Sequence, residues 1–205
     1  MAENRIPKKS WIGHFVYDAS CVLSRILFTV FWRLEIRGVN HIPKHGPVII
    51  AGNHKSYADP PLLGSSVPRE VHTLGKKELF SFRPFGWVIR QMNAHPLNRS
   101  SGIEALKLSQ ELLSCGFALM VFPEGKRIKS DSLGPPKPGI GLLSMKTGAP
   151  IIPTYIHNNG HLLKGRKLTI TFGAPIHPLP HHTYQWLAEE VMREIQKLKD
   201  QIEGA

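Results

Sequence analysis

Two short apolar runs constrain how this chain can fold. Pro47-Val48-Ile49-Ile50-Ala51 lies between Gly46 and Gly52, and Phe117-Ala118-Leu119-Met120-Val121-Phe122 leads into Pro123-Glu124-Gly125. Their length and the turn residues that bound them read as buried strands. The pattern then changes. Over residues 101–114, Ile103, Leu106, Leu112 and Leu113 recur with polar residues between them, which predicts an amphipathic helix. Helices are also expected over 60–65, 84–91, 140–147 and 183–202, the last with Trp186, Val191, Ile195 and Leu198 in the core. Alternation at 34–38 predicts an edge strand, and further strands are expected at 71–74, 92–97, 151–157 and 168–172. Strands alternating with helices define an α/β chain. The expectation is a single domain with a mixed, largely parallel sheet flanked by helices. At 205 residues and 41% hydrophobic content, one sizeable core can be buried.

The residues that follow the first run carry chemistry. Asn53-His54-Lys55-Ser56-Tyr57-Ala58-Asp59-Pro60 places an imidazole and a carboxylate in one strand-to-helix loop. Asp59-Pro60 reads as a helix start, with Asp59 as N-cap and Pro60 at the first helical position. Across a tight turn the two side chains can meet, and a His held by an Asp through one ring nitrogen can take a proton with the other. The second run ends in Glu124-Gly125-Lys126-Arg127, a turn with an acid and two bases. Ligands of α/β proteins gather at the carboxyl ends of strands, so the two strand ends suggest one shared site.

Lys and Arg total 26 against 15 Asp and Glu, a net charge of +11. That excess favours an anionic partner: nucleic acid, anionic lipid or a phosphorylated substrate. Neither zinc-finger spacing nor an aromatic RNP signature is present, which argues against nucleic acid. Cys21 and Cys115 lie far apart without metal-ligand spacing and read as thiols in a reducing compartment. His177, His181 and His182 sit among Pro178 and Pro180 and read as a linker, so no metal is expected. Residues 11–33 are apolar and aromatic, but Asp18 and Arg25 interrupt them, so they are not a clean membrane span. No small-residue cleavage site follows, against a signal peptide. An interfacial helix fits better, with Trp and Phe at the headgroup boundary and Arg5, Lys8 and Lys9 toward anionic phosphates. A helix packed into the core is the other reading.

Taken in order, these segments resemble the glycerolipid acyltransferase family typified by 1-acylglycerol-3-phosphate acyltransferase. Its Asn-His-x4-Asp motif is matched by Asn53, His54 and Asp59, and its Phe-Pro-Glu-Gly-(Thr/Ser)-Arg motif by Phe122, Pro123, Glu124, Gly125 and Arg127. The second motif region is similar to Gly75-Lys76-Lys77-Glu78-Leu79-Phe80, Pro84-Phe85-Gly86-Trp87 and Asn98-Arg99, and the fourth to Ala149-Pro150-Ile151-Ile152-Pro153. The resemblance covers roughly residues 34–175. It implies transfer of a fatty acyl group from acyl-CoA or an acyl carrier protein thioester to a lysophospholipid hydroxyl, with no other cofactor. His54 would be the general base and Asp59 its partner, with no acyl-enzyme, and Ser56 a structural hydroxyl. Lys77, Arg99, Glu124, Gly125 and Arg127 would bind substrate, with Arg127 gripping phosphate and Gly125 allowing close backbone approach. Glu124 either bonds the acceptor or holds Arg127 and its loop; Ile151-Ile152-Pro153 either lines an acyl channel or belongs to the core. Residues 1–33 would form a membrane-associating helix and 34–205 the catalytic domain, bound at the cytoplasmic face of a membrane, at an anionic surface. Lys126 departs from the family's small hydroxyl residue and leaves the acceptor headgroup open between 1-acylglycerol-3-phosphate, glycerol-3-phosphate and another lysolipid. A lipid-binding protein with a relic site is the non-enzymatic alternative.

Overall fold

The computed structural model describes residues 9–98 and 102–204. Six helices and seven strands alternate along them. The strands are β1 (Glu35–Arg37), β2 (Val48–Gly52), β3 (Val71–Lys76), β4 (Ala94–Leu97), β5 (Ala118–Val121), β6 (Ile151–His157) and β7 (Thr169–Phe172). They form one sheet in the order β1-β7-β6-β2-β5-β3-β4. Strands β6, β2, β5, β3 and β4 run parallel, so their carboxyl ends share one edge; β7 pairs antiparallel with β6 and parallel with β1. The sheet is therefore mixed and largely parallel, with β1 at an edge as its alternation implies.

The helices are α1 (Trp11–Trp32), α2 (Asp59–Gly64), α3 (Arg83–Gln91), α4 (Gly102–Ser114), α5 (Gly139–Thr147) and α6 (Tyr184–Glu203). They cover both faces, which is why β2 is apolar throughout. Val48 and Ile50 join Phe28, Leu62, Leu63 and Ile152 on one face, whereas Ile49 and Ala51 join Leu112, Leu143, Val191 and Ile195 on the other. Successive residues of a strand point to opposite faces, so a strand buried twice must be apolar at every position. On α6 the buried stripe is Leu187, Ala188, Val191, Met192 and Ile195. Trp186 falls one position off that stripe. It is 39% exposed, and it packs on His182 and Arg193 rather than in the core.

Ser10 caps α1 by accepting from the Gly13 N–H, and the helix ends at Arg33 in the left-handed region. It runs unbroken for 22 residues past Asp18 and Arg25 and is long and apolar enough to cross a membrane. Tyr17 and Phe28 are buried against the domain, and Lys9 and His14 reach Glu70 at 3.1 and 2.7 Å. The outer surface exposes Trp11, Phe15, Val22, Leu23, Ile26, Val30 and Phe31. Helix α3 packs beside α1 in the same layer, and this region adds exposed Phe82, Phe85 and Trp87.

Candidate active site at the carboxyl edge of the sheet

The loop after β2 is fixed before any side chain acts. Residue Gly52 ends the ladder opposite Thr154, and the next residue continues it with a side chain. The Asn53 amide accepts from the Ile156 N–H at 2.7 Å and donates to the Ile156 carbonyl at 3.1 Å, as a peptide unit of a further β-pair would. His54 follows. Its N–H donates to Glu124 Oε2 at 2.9 Å, and its carbonyl accepts from the Ile128 N–H at 2.8 Å. Its ring stacks on Phe122 with centroids 4.0 Å apart. Both strand-end segments thus meet at one residue.

Asp59 is fully buried, and its Oδ2 lies 2.8 Å from His54 Nδ1. The same oxygen accepts the backbone N–H groups of Lys55 and Ser56 at 2.7 and 2.8 Å, and Oδ1 accepts from Asn159 Nδ2 at 3.0 Å. Backbone N–H groups and the Asn159 amide donate to this carboxylate, so it serves as acceptor on every side, toward the ring as well. Nδ1 therefore carries the ring proton, and Nε2 presents a lone pair. Among the described residues Nε2 has no hydrogen-bond partner, and 13% of the His54 side chain stays exposed. Asp59 is not the N-cap of α2: it is the first helical residue, after Ala58, and its carboxylate turns back into the loop. Residue Ser56 accepts from the Ala58 N–H, as a structural hydroxyl would.

Glu124 is buried and bonds the His54 loop rather than Arg127. Its second oxygen accepts from the Gly134 N–H at 3.0 Å, so the carboxylate ties the His54 loop to the Gly/Pro-rich segment. Burial pushes its pKa up, against the N–H groups of Gly134 and His54. Gly125 has φ +67°, a turn that favours glycine, and a Cβ there would come within 2.5 Å of the Lys137 side chain. Its openness is filled by that lysine stem. The Arg127 guanidinium is exposed and lies 3.5 Å over the ring of Tyr57. Lys77 is exposed just beyond the carboxyl end of β3, on the same edge. Arg99 lies outside the described residues. The structure thus gathers His54, Asp59, Glu124, Gly125 and Arg127, while Lys77 shares the edge without a bond to them. Sequence reasoning missed Asn159, Ile128, Tyr57 and Lys137, and the stacking of Phe122 on His54. Among the described residues no group of three His, Cys, Asp or Glu gathers as a metal site.

An imidazole–carboxylate pair at the carboxyl edge of a largely parallel sheet, with cations on the same edge, places this chain among α/β enzymes. Comparison with known proteins narrows the class. The sequence profile described as Acyltransferase matches residues 33–157, and the chain belongs to that family. The chain is 31% identical to the chloroplastic 1-acyl-sn-glycerol-3-phosphate acyltransferase BAT2 of Brassica napus over 137 residues, 65% of this chain and 40% of that protein. With the 1-acyl-sn-glycerol-3-phosphate acyltransferase of Bacillus subtilis it shares 25% identity over 158 residues, 75% of this chain and 78% of that one. The crystal structure of the 1-acyl-sn-glycerophosphate acyltransferase PlsC from Thermotoga maritima superposes with a TM-score of 0.83 at 26% identity, over 94% of this chain and 82% of that one. The chain spans about two fifths of the length of the chloroplastic 1-acyl-sn-glycerol-3-phosphate acyltransferases BAT2 of Brassica napus and LPAT1 of Arabidopsis thaliana, at 40% and 38%.

Proposed function

We propose that this protein transfers a fatty acyl group from an acyl thioester to the free hydroxyl of 1-acylglycerol-3-phosphate, giving phosphatidate. The observation that carries this reading is the Nδ1–Oδ2 contact of 2.8 Å between His54 and buried Asp59, which leaves Nε2 as the base. An alcohol is a poor nucleophile at neutral pH. Nε2 takes its proton as the oxygen attacks the thioester carbonyl. The new C–O bond forms, a tetrahedral oxyanion follows, and its collapse breaks the C–S bond. The imidazolium then returns the proton to the departing thiolate. Asp59 holds the ring tautomer and stabilises the imidazolium, and the substrate hydroxyl stands where a serine protease places its own serine. No acyl-enzyme is required.

Arg127 binds the acceptor phosphate, because a guanidinium fork matches phosphate oxygens, and Lys77 and Arg99 join it by their match to the family's second motif region. Glu124 acts indirectly, holding the His54 backbone. The donor is acyl-CoA or an acyl carrier protein thioester, both acidic and suited to a chain of net charge +11. The exposed apolar faces of α1 and α3 lie against the cytoplasmic surface of an anionic membrane, where the lysolipid resides. A second reading keeps the chemistry and changes the acceptor to glycerol-3-phosphate or another lysolipid. Lys126, an extra cation next to Arg127, favours it.

Acyl transfer from a labelled thioester in mixed micelles, with 1-acylglycerol-3-phosphate and glycerol-3-phosphate side by side, tests the assignment. Product from the lysolipid alone is expected. Product from glycerol-3-phosphate alone replaces the acceptor, and product from neither refutes both acceptors and points to another lysolipid or to a lipid-binding protein.

A further inference from the structure

We propose that Asn159 is a positioning residue for the His54–Asp59 pair, a role that rests on the acyl-transfer reading above. Asp59 spends Oδ2 on three donors, the His54 ring and the backbone N–H groups of Lys55 and Ser56. Its other oxygen has a different partner, the Asn159 amide at 3.0 Å. Both side chains are buried, Asn159 at 2% exposure and Asp59 at 0%. The amide arrives from a hundred residues away and is itself fixed. Asn159 opens a 3-10 turn, Asn159–Lys164, directly beyond the carboxyl end of β6. The preceding Asn158 adopts φ 62°, donates its amide to the Lys167 carbonyl at 2.9 Å, and accepts from the His161 N–H at 2.9 Å.

Two physical consequences follow. A carboxylate can rotate about its own bond and exchange its oxygens; a donor fixed on Oδ1 sets the plane in which Oδ2 meets the imidazole. The donor is also neutral. A lysine or arginine at this point would hold Asp59 equally well but would cancel the charge that stabilises the imidazolium. An amide locks the carboxylate and leaves its charge directed at His54 alone. Asn159 also borders a cleft of about 400 Å³ lined by Lys55, Ser56, His161 and Leu162, so contact with bound substrate is the competing role.

Initial rates on the full-length protein separate the two roles. Asn159→Leu keeps the shape and removes the donor; kcat should fall by about 10–100-fold with both KM values within about twofold of wild type. Asn159→Asp is nearest in size, yet it sets a second carboxylate against Asp59. The two must share a proton, which takes charge away from His54, so this variant should be the slower of the two. A role in packing alone predicts the opposite order. An Asn159→Asp kcat within about threefold of wild type, or a change confined to KM, overturns the proposal. Asn159→Ala only removes atoms and serves if the others fail to fold; an unchanged kcat there also overturns it. One measurement needs no variant. The Asn159 side-chain amide protons of the wild type should show a hydrogen-bonded, slowly exchanging NMR signal, and rapid exchange contradicts the contact. His54→Ala separates the levels: turnover retained there refutes the assignment of His54 as base, on which this proposal rests, whereas loss there with wild-type kcat in the Asn159 variants refutes this proposal alone.

Discussion

Replacing Glu124 with Gln distinguishes the two roles that the sequence leaves open for it. The carboxylate accepts the N–H groups of His54 and Gly134 at 2.9 and 3.0 Å. Hydrogen bonds to charged groups contribute about 1.5–3 kcal/mol each. The amide of Gln keeps one acceptor and turns an N–H₂ group toward the other donor, so one such bond is lost. The change also removes a charge from the interior. Burial holds Glu124 above the usual carboxylate range despite its donors, so the charge costs more in the fold than its bonds return. The two effects oppose, and net stability should shift by about 1 kcal/mol or less, roughly 2–4 °C in Tm for a chain of this size. The damage should fall on the reaction, because His54 loses its backbone anchor. A displacement of about 1 Å can cost about 100-fold in rate, so kcat should fall by about 10–100-fold while the acceptor KM holds. Thermal unfolding with steady-state kinetics reads both. An unchanged kcat with a raised acceptor KM would show that Glu124 binds the acceptor, and a loss of more than about 4 kcal/mol would refute the balance of bond against burial.

Three further outcomes are expected. Asn53→Ala leaves the Ile156 N–H and carbonyl unpaired in the interior, which should cost about 3 kcal/mol, roughly 6–12 °C in Tm by calorimetry. Arg127→Ala should raise the acceptor KM and spare the donor KM; an effect confined to the donor contradicts phosphate binding. His72 is buried beside His95 and Phe117, and burial, with the neighbouring His95, pulls its pKa down from 6.5 to about 4. Its neutral form belongs to the fold and protonation favours unfolding. The contribution is therefore present above pH 6.5 and lost as pH falls toward 4, about 3 kcal/mol over that window. His72→Leu should flatten this part of the denaturation profile relative to wild type.

The strands were legible because a strand covered on both faces must be apolar at every position, as Val48 to Ala51 are. The His54–Asp59 pair was legible because both residues lie in one loop, where five positions bring them together. Asp59 could not be read further: the residue before a proline looks like a cap, and only the folded loop shows its carboxylate turned back to the imidazole. Glu124 stayed ambiguous because its partners are backbone N–H groups, which leave no mark in a sequence. Asn159 was hidden for a related reason. In sequence it belongs to a turn between strands, and its bond to Asp59 exists only because β6 lies beside β2. Trp186 shows the limit of periodicity, since one position around a helix separates the buried stripe of α6 from its rim.

Direct transfer with His54 as base is tested most sharply by mixing the enzyme with labelled acyl thioester and no acceptor, then following thiol release and label on the protein. Neither should appear until lysophosphatidate is added, whereupon thiol and phosphatidate form together. A burst of thiol matching the enzyme concentration, with label bound covalently to the protein, would contradict it.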